Sequence, residues 1–215
     1  MIALLISLPV LVFSIVLHEV AHGWAARWQG DNTAYMLGRL TLNPIPHIDP
    51  IGSILVPAIL SLMPGGLIFG WAKPVPVNPR NFRNFKRGDI IVSLAGVAVN
   101  LLLAIVFIFV MAGSEWLIRL APDMISSWSI LRAMAMYGIQ INLVLMLFNL
   151  IPIPPLDGSH VFYYLLPPRL AVQYRQIGMR GMVVLMVLIW FGGSFLLAPV
   201  SVLLRVAMAL KNLLV

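Results

Sequence analysis

Residues 50–79, PIGSILVPAILSLMPGGLIFGWAKPVPVNP, decide how the chain is built. No charge falls between Asp49 and Lys73, and about 20 apolar residues are enough to cross a bilayer as a helix. The interior of the stretch argues against a clean span. Pro57, then Pro64-Gly65-Gly66, then Gly70 interrupt a helix, and Lys73-Pro74-Val75-Pro76-Val77-Asn78-Pro79 is held extended by its prolines. Upstream, Tyr35 to Leu42 with Gly38 reads as a short strand, and Asn43-Pro44-Ile45-Pro46 as a turn. Residues 35–79 are therefore expected to form a short re-entrant segment with a β-hairpin. Irregular backbone at membrane depth needs cover from protein or a wet cavity, so the segment also points to a cavity.

Outward from this stretch, four more runs carry no charge: residues 1–17, 90–114, 133–156 and 181–204. The 215 residues are 61% hydrophobic and 10% charged, against about 25% charged in a soluble domain. That balance excludes a soluble domain and intrinsic disorder alike. The fold class expected is an all-α polytopic membrane protein: one integral-membrane domain over 1–215, a helix bundle with spans at about 1–28, 90–113, 131–150 and 179–197. A C-terminal helix at about 199–213 is either interfacial or a final span. The first run has no Lys or Arg and no clean small-x-small site, so a cleaved signal peptide is not expected. The net charge of +7 reads as a topology signal rather than a nucleic-acid footprint. With no cysteine, disulfides, Fe–S clusters and thiolate zinc sites are excluded.

The chemistry concentrates at the end of the first run, in His18-Glu19-Val20-Ala21-His22. On a helix, positions i and i+4 share a face, so His18 and His22 can bind one metal while Glu19 deprotonates a water beside them. Ionisable residues in a membrane segment are costly and usually functional; the bland alternative is a polar helix end snorkelling to the interface. Two His leave a tetrahedral zinc short of one protein ligand. The candidates are His47, Asp49, Glu115, Asp123, Asp157 and His160. Glu115 and Asp123 read as solvated charges and Asp49 as an N-cap. Asp157 stands out, because it ends an uncharged run in Ile151-Pro152-Ile153-Pro154-Pro155-Leu156-Asp157 whose prolines open the backbone; a helix cap remains its alternative reading.

Topology tests the choice. If 50–72 is re-entrant, residues 1–22, 90–113 and 133–156 alternate in direction, and His18 and Asp157 end on one side. If 50–72 spans, they end on opposite sides. The positive-inside rule favours the first arrangement: it gathers Arg27, Arg39, Lys73, Arg80, Arg83, Lys86, Arg87 and the arginines at 169, 175 and 180 inside, leaving Arg119 and Arg132 outside. The basic and aromatic run from Arg80 to Arg87 then reads as an interface anchor.

Together, His18-Glu19-Val20-Ala21-His22-Gly23, Asn43-Pro44-Ile45-Pro46-His47, Gly70 through Asn78, Ala95-Gly96 with Asn100, and Asn149 through Gly158 resemble the site-2 protease family of zinc intramembrane metalloproteases. The likeness runs from residue 14 to about 160 and is to the compact bacterial type without a PDZ or CBS domain. Members often have Gly-Gly after the aspartate, where this chain has Gly158-Ser159. The resemblance implies one Zn2+ per chain on His18, His22 and Asp157, with Glu19 as general base. It also implies that Asn149 faces the site and hydrogen-bonds substrate, and that the re-entrant segment presents extended substrate at an edge strand. The implied setting is the bacterial cytoplasmic membrane, with the active site toward the cytoplasm. The implied substrates are transmembrane proteins or peptides; nucleic acid is not among the expected partners.

Two residues stay open between roles. Asn100, in mid-span, either bonds a neighbouring helix or meets substrate. His47 either orients the site from behind the ligands or bonds its own loop. The rival functions are a metal-binding membrane transporter, which needs no base at Glu19, and a non-catalytic membrane chaperone, which needs none of the four residues.

Overall fold

The computed structural model describes residues 2–56, 59 and 70–214. The long uncharged runs become long helices: α1 (Ile2–Gln29), α3 (Phe85–Leu120), α4 (Ile125–Asn149) and α7 (Gly181–Leu214). Between them lie the short α2 (Thr33–Met36), α5 (Asp157–Tyr163) and α6 (Pro168–Ile177). Four described segments are long and apolar enough to cross a membrane, or five if α6 and the first part of α7, bent by 78°, form one span. The chain is an all-α polytopic membrane protein. The segments anticipated at about 179–197 and 199–213 lie along α7, which joins two helices across a kink at Gly192 and contains Pro199.

The chain forms two compact units, Met1–Ser14 with Val97–Val215, and Ile15–Gly96. In the first, Val97, Ala104 and Ile108 of α3 pack with Ile139, Leu143 and Met146 of α4 and Ala207 of α7. A polar chain runs through this unit. The Asn100 side-chain amide donates to Asn142 Oδ1 (2.9 Å), and Asn142 Nδ2 donates to Ser14 Oγ (2.9 Å) and to the Gly138 carbonyl (2.8 Å). All three side chains are buried. Glu115 pairs with Lys211 at 2.8 Å, which ties the last turn of α7 to α3.

In the second unit, Ala25 and Ala26 of α1 pack with Phe82 and Val92. Helix α1 ends on Gly30, whose φ of 111° is open to glycine; the Gly30 N–H bonds Arg27 O and the Asp31 N–H bonds Ala26 O, closing the helix in a Schellman pattern. Asp31 is 1% exposed. Its carboxylate accepts the Thr33 N–H (3.1 Å) and hydroxyl, the Asn78 N–H (2.7 Å) and the Asn81 side-chain amide (2.8 Å). Burial pushes the Asp31 carboxyl up, but the bonds from Thr33, Asn78 and Asn81 outweigh it and hold the group below its usual 3.8.

The β-hairpin expected within 35–79 is corrected by the structure: no strand occurs among the described residues. Thr33 bonds Asp31 in an Asx turn and starts a helical turn, so Tyr35 and Met36 are helical rather than extended. Ile45–His47 is a 3-10 turn, and Pro50–Leu55 is a π-helical turn capped by Asp49, which accepts from the Ile51 and Gly52 N–H groups. Prolines at 44, 46, 50, 74, 76 and 79 remove the donors that a ladder requires. The break anticipated at Pro57 and Pro64-Gly65-Gly66 lies outside the described residues. Lys73 to Asn78 lies without helix between Trp71 and the turn at Pro79–Asn81, as its prolines require.

Replacing Asn142 by Ala removes its bonds to the buried Ser14 hydroxyl and Asn100 side-chain amide, which costs about 1–2 kcal/mol. Thermal unfolding in detergent should show the loss, and an unchanged midpoint would contradict it. Asp31 gives a pH test. Because its folded pKa lies below the unfolded value, its contribution is complete above about pH 4 and is lost as pH falls through the lowered folded value. The stability gap between wild type and Asp31→Asn therefore narrows on acidification from pH 7 to pH 3; a constant gap would contradict the assignment.

Candidate metal centre

Three residues of α1 hold the centre of the second unit. His18 is buried, and Glu19 and His22 are half-buried. One helical turn brings the two Nε2 atoms to 3.0 Å from each other, with the rings edge to face. His22 Nδ1 lies 2.7 Å from the Val92 carbonyl. A carbonyl only accepts, so Nδ1 carries the proton and His22 Nε2 presents a lone pair toward His18. A backbone carbonyl behind a ligand histidine fixes its tautomer and ring orientation in this way.

The pair fits a zinc ion. Two nitrogens at about 2.0–2.1 Å from one metal, at a tetrahedral angle, stand about 3.3 Å apart, close to the separation seen. The fit depends on α3 carrying no side chain at Gly96. A Cβ there would lie 2.5 Å from His18 Cε1 and 2.6 Å from both His18 Nδ1 and His22 Nε2. Val92 and Gly96 are one turn apart on the same face of α3, so one helix both orients the second histidine and makes room for the pair.

Glu19 Oε2 accepts the Val75 N–H at 2.8 Å. This side chain is therefore held at one oxygen by the extended Lys73–Asn78 segment. That segment is fixed in turn: the Lys73 N–H bonds the His47 carbonyl (2.9 Å), and Arg39 Nη2 reaches the Lys73 and Pro74 carbonyls (3.0 and 3.3 Å).

The other anticipated residues are placed as follows. His47 is buried and bonds the Thr41 carbonyl of its own loop through Nε2 (3.0 Å), while its backbone carbonyl accepts the Lys73 N–H. Asn100 makes the interhelical bond to Asn142. Asn149 Nδ2 bonds the Leu145 carbonyl of its own helix. Glu115, rather than a solvated charge, is the partner of Lys211. Asp157 lies in the first unit, as the opening residue of α5; Leu156, not Asp157, occupies the cap position. The turn before it is tight. A Cβ on Gly158 would lie 2.3 Å from the Leu150 carbonyl oxygen, and one on Gly181 would lie 1.7 Å from that of Pro154. The glycine after Asp157 is thus required by backbone contact, which leaves the next position free to be Ser159. The glycine signals were visible in the sequence, but nothing in the spacing says which atoms they admit.

The relatives agree with this chemistry. "Putative zinc metalloprotease YwhC" of Bacillus subtilis (strain 168) is 40% identical over 195 residues, covering 88% of this chain and 82% of that protein. "Putative zinc metalloprotease Rip2" of Mycolicibacterium smegmatis is 30% identical over 152 residues, or 68% of this chain and 52% of that protein. The Rip2 of Mycobacterium tuberculosis (strain ATCC 25618 / H37Rv) is 32% identical over 145 residues, covering 67% and 51%. The chain thus spans about half the length of the Rip2 proteins. No protein-family model matches the chain, and no solved structure does. The relatives and the apolar helices together indicate a multi-pass membrane metalloprotease. The chain belongs to the zinc metalloprotease family that includes YwhC.

Gly96→Ala should push the two imidazoles apart and lower the zinc content of purified protein to less than about half of the wild-type level. Elemental analysis checks this, and full zinc occupancy in the variant would contradict the steric argument.

Proposed function

We propose that this protein is an intramembrane zinc endopeptidase of the site-2 type, which hydrolyses peptide bonds of transmembrane segments within the bilayer. The observation that carries the reading is the convergence of His18 and His22 Nε2 at 3.0 Å, beside Glu19, on a helix with no charge before His18. The zinc ligands proposed are His18, His22 and Asp157, because two histidines need a third protein ligand and leave the fourth position for water.

Zinc, when bound, supplies a Lewis acid that lowers the pKa of a water to about 7. Glu19 takes the proton of the attacking water and later hands it to the leaving amine. His22 keeps one tautomer throughout, because its Nδ1–H stays hydrogen-bonded to the Val92 carbonyl. Asn149 is the candidate neutral donor for the developing oxyanion. The active site is placed toward the cytoplasm, in a cell-membrane protein, on the asymmetry of Lys and Arg between the two sides. The partners proposed are membrane-spanning proteins or peptides and the lipid bilayer.

Zinc analysis of wild type beside Asp157→Ala tests the ligand set. About one zinc per wild-type chain, falling several-fold in the variant, is expected; full retention in Asp157→Ala would mean that another residue completes the site. Glu19→Gln should keep its zinc and lose turnover by at least about a hundredfold. Undiminished cleavage by that variant would exclude Glu19 as the base.

A further inference from the structure

The segment from Lys73 to Asn78 forms a strap across α1. Few of its backbone groups can donate, because Pro74 and Pro76 have no N–H. In Pro74-Val75-Pro76 the one donor is Val75 N–H, and it is spent on Glu19 Oε2 at 2.8 Å. Among the described residues, Glu19 has no other hydrogen-bond partner. Three residues on, the Asn78 N–H goes to Asp31 Oδ2 at 2.7 Å. Both acceptors are carboxylates of one continuous stretch, Glu19 within α1 and Asp31 just past its glycine stop. The strap is therefore pinned at two points, one on α1 and one just past its end.

Asp31 is suited to act as the fixed pin. It is 1% exposed, and its other oxygen, Oδ1, is locked by the Thr33 N–H and hydroxyl and by the Asn81 amide. Oδ2 is thereby aimed at Asn78. The strap transmits position well, because proline fixes φ on both sides of Val75. Its far end is also tied, by the Lys73 N–H to His47 and by Arg39 to the Lys73 and Pro74 carbonyls.

We propose that Asp31 is a positioning residue for the catalytic carboxylate: by holding the Asn78 N–H it fixes the strap whose Val75 N–H orients Glu19. The proposal rests on the reading of Glu19 as general base. Glu19 does chemistry only if its second oxygen meets water at the correct angle, and a displacement of about 1 Å in such a group costs about a hundredfold in rate. Asp31 touches no reacting atom; it sets where Val75 stands, and Val75 sets which way Glu19 points.

The test uses the full chain, zinc-loaded and reconstituted in lipid vesicles, with an internally quenched single-span peptide that the wild type cleaves. Three quantities are read for Asp31→Asn: zinc content, hydrogen exchange of the Val75 amide, and the separate kcat and KM. Zinc is expected at the wild-type level, with exchange at Val75 faster by about tenfold. The kcat should fall about ten- to a hundredfold, with KM within about twofold. Unchanged exchange overturns the proposal, as does faster exchange with unchanged kcat. A joint loss of zinc, kcat and KM would assign Asp31 a merely structural role. If Asp31→Asn fails to fold, Thr33→Val takes its place: it removes one lock on Oδ1 and should shift exchange and kcat in the same directions by about two- to threefold. No shift in either would again overturn the proposal. Full activity of Glu19→Gln would remove the general-base reading itself, whatever Asp31→Asn does.

Discussion

Polar groups at membrane depth must be satisfied by the protein, and the candidate site is organised around that requirement. Helix α1 brings two imidazoles and a carboxylate to the end of a run with no charge. Each group with a polar demand is met from a different direction. The Val92 carbonyl accepts the His22 Nδ1–H, the Val75 N–H donates to one oxygen of Glu19, and the two imidazole nitrogens face each other as a metal would have them. Steric permission comes from Gly96, one turn beyond Val92. The pairing of chemistry on α1 with support on α3 thus depends on two backbone features, a carbonyl and a missing side chain.

The same requirement shapes the other unit. Asn142 spends both of its amide hydrogens and its oxygen, reaching Ser14, Gly138 and Asn100. A fully satisfied chain of this kind holds helices in register where lipid supplies no hydrophobic drive for association. Packing beside it uses small residues: Ala104 and Ala207 in the core, and Gly138, which lies against the Phe107 ring.

Much of this was legible in the sequence. Runs without charge located the long helices, because the cost of burying a charge in lipid is large and easily read from composition. The His18–His22 spacing located the paired nitrogens, because helical periodicity is rigid. The segment from 35 to 79 was harder. Tyr35 to Leu42 has strand-like composition, yet Asp31 captures Thr33 and starts a helical turn, a competition that local propensity cannot settle. Asp31 itself gave no signal beyond its place after Gly30; its partners Asn78 and Asn81 are 47 and 50 residues away. Glu115 was misjudged as solvated for the same reason, since Lys211 lies 96 residues further along. Patterns repeat over a few residues, whereas these carboxylates are employed over long sequence separations.

The Glu115–Lys211 pair carries a practical consequence for mapping the protein in its bilayer. Two charged side chains 2.8 Å apart share one depth, so the last turn of α7 and the end of α3 leave the membrane at the same face. A reporter attached beyond Lys211 therefore reads out the exit side of α3 as well as its own. The short connection between α3 and α4 thereby becomes assignable from a tag attached after Lys211.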